Sequence, residues 1–169
     1  MPTIVMASSK GGAGKTTAAI TLASELARQG QDKEVDIALV DADPNKHSAK
    51  WAKKTGCPEN LNLYESDEAS IIDDIEKAEE DNAFVIVDLE GTASIAVANA
   101  VSRADLVIIP CQGSQDDADE AVKTIKLLRQ QSKAFRRTIA VSSTNLTMAT
   151  NRKDKIFVEN ENIRKHKRR

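Results

Sequence analysis

Aromatic residues are nearly missing from this chain: one Trp, one Tyr and three Phe in 169 residues, or 3%. A core built here must rest on Ile, Val, Leu and Ala, as buried parallel strands usually do. Cysteine is equally scarce. Cys57 and Cys111 stand far apart, without metal-ligand or disulfide-framework spacing, and read as free thiols of a reducing cytoplasm. The two histidines, His47 and His166, pair with no nucleophile, so no Ser/His/Asp or Cys/His arrangement emerges. No apolar run approaches the roughly 18 residues of a membrane span, and no charged-then-apolar leader opens the chain. What remains, 40% hydrophobic and 30% charged, suits a soluble domain with one sizeable core.

Charge is unevenly spread. The chain carries 24 Lys+Arg against 26 Asp+Glu, but its last 19 residues hold eight basic and three acidic, a net of +5. Residues 1–150 therefore hold 16 basic against 23 acidic, a net of −7. The terminal Arg164-Lys165-His166-Lys167-Arg168-Arg169 block reads either as a contact for nucleic acid or an anionic surface, or as a solvated end. A second basic group, Lys123, Lys126, Arg129, Lys133, Arg136 and Arg137, lies near the fifth helical segment and could serve the same partner.

Short apolar runs alternate with amphipathic stretches. Strands are predicted at Thr3–Ala7, Asp36–Val40, Asn62–Tyr64, Phe84–Val87, Leu106–Ile109 and Thr138–Val141, with helices near 16–29, 46–54, 67–80, 93–102 and 115–132. This alternation predicts an α/β fold, a mostly parallel twisted sheet with helices on both faces. Ala118, Ala121, Val122, Ile125 and Leu128 recur at helical spacing and are expected to face the core. Pro110 is expected to end its strand for want of an N–H donor, and Ser142–Asn145 to form a loop. Trp51 reads as a packing residue on the second helix. One domain is expected over residues 1–150, followed by a basic, flexible tail over 151–169. There Ile156-Phe157-Val158 is either a short edge strand or a sticky patch.

The most informative segment is Lys10-Gly11-Gly12-Ala13-Gly14-Lys15-Thr16-Thr17. It lies between a predicted strand and a predicted helix, the context in which a glycine-rich loop turns successive N–H groups onto phosphate oxygens. The helix N-terminus adds its partial positive charge behind them. Lys15 would reach the β- and γ-phosphates and the Thr16 hydroxyl would ligate Mg²⁺. The strict phosphate-loop pattern opens with glycine five positions before Gly-Lys-Thr, where this chain has Ser9, and a second lysine, Lys10, follows it. Leu39-Val40-Asp41-Ala42-Asp43-Pro44-Asn45 ends an apolar run with two acids, at the sheet edge where parallel folds bind ligands. Asp-Pro-Asn is also a common turn and cap sequence. Phe84-Val85-Ile86-Val87-Asp88 has the form of a strand delivering an acid to a metal's water shell.

Lys-Gly-Gly-x-Gly-Lys-Thr-Thr resembles the deviant Walker A loop of the ParA/MinD family of P-loop ATPases, and the later segments extend the likeness over residues 3–142. The resemblance implies that residues 11–17 (Gly11, Gly12, Ala13, Gly14, Lys15, Thr16 and Thr17) bind ATP. It implies that Lys10 crosses a dimer interface to the partner's phosphates, and that Asp43 positions or deprotonates the attacking water. Asp41 would hold the metal's water shell or the loop, Asp88 the Mg²⁺ water, and Asn145 the adenine. Leu89-Glu90-Gly91-Thr92 resembles the family's switch segment without its usual prolines. Gly91 would bring a backbone N–H near the γ-phosphate, or Thr92 would simply cap a helix. Leu106–Pro110 and the following Cys111-Gln112-Gly113-Ser114 resemble the strand and loop leading to the nucleoside.

The implied function is a Mg²⁺-dependent ATPase of the small ParA type. It would form an ATP-sandwich homodimer, bind DNA non-specifically and position plasmid or other DNA cargo. A centromere-binding ParB-like protein would stimulate hydrolysis, and the protein would be cytoplasmic and nucleoid-associated. Relative to the family the C-terminus looks short, and no amphipathic C-terminal helix argues for a membrane cycle. Two alternatives stand beside this reading: a binding-only remnant without a hydrolysis cycle, and a P-loop small-molecule kinase or ligase.

Overall fold

The computed structural model describes residues 1–54, 56–91, 94–111, 115–134, 140–145 and 157–159; beyond residue 111, side chains are described at 119–128 and 130. Among the described residues seven strands make one sheet: β1 (Thr3–Met6), β2 (Ile37–Ala42), β3 (Leu61–Glu65), β4 (Phe84–Leu89), β5 (Leu106–Cys111), β6 (Ala140–Asn145) and β7 (Phe157–Glu159). Their spatial order is β3-β2-β4-β1-β5-β6-β7. Every pairing is parallel except β6 with β7, which is antiparallel. The helices are α1 (Lys15–Gly30), α2 (His47–Ala52), α3 (Ile71–Asp81), α4 (Ile95–Arg103) and α5 (Gln115–Ala134), with a 3-10 turn at Gln31–Lys33. The α/β architecture expected from the alternation is the one observed. No described helix is long and apolar enough to cross a membrane.

Strand alternation sorts the core into two layers. Ile4, Met6, Ile37, Leu39 and Ile86 face one side, where Ala19, Ala23 and Ala27 of α1 pack on them with half-buried Trp51 of α2 alongside. Alanine at every fourth position lets α1 lie close to the sheet. Val5, Val40, Val85, Val87, Val107 and Ile109 face the other side, under Ile71 and Ile75 of α3, Ala100 and Val101 of α4, and Ala121 and Leu128 of α5.

Four sequence expectations need correction. Pro110 and Cys111 continue β5 instead of following it. The Ile108 carbonyl accepts from Ala7 N–H on the β1 side, so an N–H at position 110 would face that same side, past Met6 where β1 has ended. The missing donor therefore breaks no ladder bond. Ser142–Asn145 is strand rather than loop, paired residue for residue with Ile108–Cys111, because the backbone ladder outweighs its polar composition. Val122 is 48% exposed. Ala121, Thr124 and Leu128 form the buried side of α5, and Val122 lies a hundred degrees around the helix from Ala121. The α4 cap is Ser94, whose Oγ accepts from Val97 N–H at 3.3 Å. Thr92 lies outside the described residues, as do Gln112–Ser114, Thr138, Ile156 and the 160–169 stretch of the basic tail.

Candidate functional site

The loop between β1 and α1 turns twice through left-handed backbone. Gly12 has φ 74° and Gly14 has φ 91° with ψ 19°, values that residues carrying a β-carbon seldom adopt. From Gly14 the chain enters α1 at once, its carbonyl accepting Ala18 N–H at 2.9 Å. Ala13 is buried, Thr16 half-buried, and Lys10, Gly11 and Thr17 exposed. Ser9, standing where the strict pattern has glycine, ties the loop to α5. Its Oγ donates to Glu120 at 2.9 Å and lies 3.1 Å from the Thr124 hydroxyl, which also accepts Ser9 N–H at 3.4 Å.

Strand register brings the acids to this loop. Asp41 and Asp88 are direct partners at the carboxyl ends of β2 and β4, two residues beyond Leu39 and Ile86, so both side chains point to the α1–α2 side of the sheet. Both are fully buried. Asp41 has its oxygens occupied: Oδ1 accepts Asp43 N–H at 3.0 Å and Oδ2 accepts Ala49 N–H at 2.7 Å. It fastens the turn after β2 and the first turn of α2 to the sheet. Asp43 is half-buried, and its Oδ1 accepts both Asn45 N–H at 2.7 Å and Asn45 Nδ2 at 3.0 Å.

Asp88 differs from Asp41. The Thr16 and Ser48 hydroxyls lie beside it and favour its charge, yet neither reaches hydrogen-bonding geometry. Both Asp88 oxygens and the buried Ser48 Oγ are thus left without a partner. Burial first, then the charges of Asp41 and Asp43, push its carboxyl up to about 6, against the pull of the two hydroxyls. Lys15, 7% exposed, is shifted the opposite way: burial lowers its pKa, while Asp88, Asp43 and Glu90 pull it back up. Gly91 lies over this lysine, and a β-carbon there would meet Lys15 Nζ at 3.2 Å and Gly11 N at 3.5 Å. The site is thus one ammonium beneath a bare backbone segment and ringed by carboxylates, opening beside a left-handed glycine loop.

An orphaned, buried carboxylate next to a threonine hydroxyl fits a hard cation and its water shell. Among the described residues no cluster of three or more His, Cys, Asp and Glu forms a protein-only metal cage. Asn145 is the last residue of β6, opposite Cys111; its side chain lies outside the described set. Sequence reasoning missed Ser48, which only the approach of α2 to β4 reveals, and gave Glu90 no role of its own.

The raised Asp88 carboxyl predicts a stability profile for the nucleotide-free protein. Its folded pKa of about 6 exceeds the ordinary 3.8, so across that window the folded state keeps a proton that the unfolded state has lost. Stability therefore falls as pH rises from about 4 to 6, by roughly 2–3 kcal/mol, and the penalty persists above. Urea unfolding at several pH values should show this slope flattened in Asp88→Asn, which should be the more stable protein near pH 7. An unchanged slope would reassign the perturbation.

A family model described as VirC1 protein matches residues 1–155. Protein ParA of Rhizobium radiobacter is 43% identical over 141 residues, covering 83% of this chain and 62% of that protein. Maintenance of carboxysome distribution protein A of Halothiobacillus neapolitanus is 29% identical over 135 residues, covering 78% of this chain and 60% of its own length. The chain thus spans about six-tenths of the length of these curated relatives. Among solved structures, an ATP complex of a Cyanothece McdA variant superposes with a TM-score of 0.72 at 18% identity, covering 89% of this chain and 74% of the other. At that identity the likeness speaks for the fold alone.

Proposed function

Because this chain belongs to the VirC1 family and, with it, to the ParA/MinD-type P-loop proteins, we propose that it binds and slowly hydrolyses ATP to position DNA or another large cargo. The observation that carries this reading is the buried Lys15 ammonium held among Asp88, Asp43 and Glu90 at the mouth of the glycine loop. An ammonium so poorly hydrated gains most from an anion that completes its coordination, and the loop's backbone N–H groups supply the rest of a phosphate cradle.

In this proposal Lys15 holds the β- and γ-phosphates, and residues 11–17 enclose them. The Thr16 hydroxyl would ligate Mg²⁺ and the free Asp88 oxygens would hold its water shell, and the ion would supply neutralising charge at the phosphoryl oxygens. Asp41 keeps the turn after β2 in place, as its two backbone bonds suggest. Asp43 orients the attacking water, with the Asn45 bonds fixing one oxygen and leaving the other to act. Gly91 leaves room for the γ-phosphate above Lys15. Lys10, exposed at the head of the loop, reaches the nucleotide of a second copy, so ATP brings two chains together and hydrolysis releases them. Asn145 contacts the adenine. The dimer binds DNA through basic surface residues such as exposed Lys123 and Lys126, in the nucleoid, and a ParB-like protein accelerates hydrolysis.

Light scattering on Asp43→Ala tests this reading. Blocking hydrolysis should give twice the monomer mass with Mg·ATP and a monomer with Mg·ADP. A monomer under both conditions, with ATP binding confirmed by calorimetry, would leave a nucleotide-binding protein without the dimer switch.

A further inference from the structure

The turn that carries Asp43 ends on Lys46, whose backbone is left-handed, with φ 51° and ψ 46°. Residues with a β-carbon occupy this region sparingly, and at functional sites it is sustained by surrounding bonds. The bonds here are specific. Lys46 N–H donates to the Asp43 carbonyl at 2.9 Å, and the Lys46 carbonyl accepts Lys50 N–H at 3.0 Å as α2 begins. The side chain then folds back over the sheet edge. Its ammonium donates to the Asp41 carbonyl at 2.9 Å and to the carbonyl of Ser66, the residue following β3. The Asp41 carbonyl also accepts Ser66 N–H at 2.9 Å. One half-buried side chain therefore spans the carboxyl ends of β2 and β3 and the turn between β2 and α2.

We propose that Lys46 is a positioning residue for Asp43, its ammonium clamping the Asp43 turn onto the β2–β3 edge. The inference rests on the proposed role of Asp43 in hydrolysis. Asn45 fixes the Asp43 carboxylate within the turn, but says nothing of where the turn sits relative to the phosphate loop. That placement comes from the sheet. One tie is the Asp41 carboxylate, through Asp43 N–H and Ala49 N–H; a second is the Lys46 ammonium. The Asp41 carbonyl keeps a second lone pair after accepting Ser66 N–H, the Ser66 carbonyl lies just past the end of β3, and the half-buried ammonium donates to both. Without it the turn can shift by a fraction of an ångström, enough to spoil the aim of a water-orienting carboxylate while phosphate binding persists.

Lys46→Asn tests the clamp, because asparagine tolerates the left-handed turn but is too short to span the two carbonyls. With Mg·ATP, kcat should fall about tenfold to a hundredfold while KM and the urea midpoint stay near wild type. Lys46→Arg, which restores a cationic donor, should recover most of the rate. Equal loss in kcat and in stability, or no loss, would overturn the clamp. A wild-type chain that does not turn over would instead count against the ATPase reading, and an Asp43→Ala variant as fast as wild type against the role given to Asp43. Amide hydrogen exchange decides the inference in that case as well. Lys46→Asn should speed exchange at the Asp43, Asn45 and Ala49 amides at least about tenfold, with global unfolding unchanged and Lys46→Arg restoring protection. Unaltered protection at those three amides would refute it.

Discussion

Lys15→Ala is expected to abolish measurable Mg·ATP binding. The ammonium is 7% exposed and lies within the fields of Asp88, Asp43 and Glu90. Removing it takes away the phosphate's main charge partner and leaves three carboxylates facing a polyanion. Truncating one member of a desolvated charge pair costs about 2–5 kcal/mol, or roughly thirtyfold to several thousandfold in affinity. Calorimetric titration with a non-hydrolysable ATP analogue reads the loss, and circular dichroism checks that the fold persists. Neutral Lys15→Met keeps the aliphatic stem and should lose binding nearly as completely, which separates the charge from the packing. Affinity within threefold of wild type in both variants would remove Lys15 from the phosphate site.

Lys10→Ala should do the reverse, sparing nucleotide affinity and abolishing the ATP-dependent dimer. Lys10 is exposed, its N–H donating to Ser8 Oγ at 3.2 Å, and its charge acts on Glu120 of α5. Its loss should therefore leave the site of one chain intact. At an interface, a lysine that meets a partner's phosphate is a desolvated charge pair, again about 2–5 kcal/mol. In an Asp43→Ala background, sedimentation with Mg·ATP should show the dimer dissociating at concentrations at least tenfold above those needed without the Lys10 change. A dimer of undiminished strength would mean that two chains meet by another surface.

What the sequence disclosed followed from how local each feature is. The left-handed loop between β1 and α1 was legible because its backbone requirements are written into Gly12 and Gly14. Strands β2 and β4 were legible because each ends an apolar run with an acid. Pro110 was misjudged because whether a missing N–H matters depends on where the neighbouring strand stops, and β1 stops at Met6. The polar run Ser142–Asn145 was misjudged because pairing with β5, not composition, makes it a strand. Val122 shows that an apolar residue within a helical stripe need not face inward. Ser48 and Lys46 carried no signal at all. Their importance arises from strands and turns distant in sequence, brought alongside Asp88 and Ser66 only in the folded chain.

The direct pairing of Asp41 with Asp88 has a consequence for which changes in length this protein can accept. Side chains alternate across a sheet, so removing or adding one residue within Ile37–Asp41 or Phe84–Asp88 would swing the carboxylate through the sheet into the valine layer beneath α3 and α4. Two-residue changes restore the parity, and single ones do not. The two strands should therefore tolerate apolar exchanges far better than odd insertions or deletions. A library of length variants selected for nucleotide binding should retain even-numbered changes and discard the odd ones.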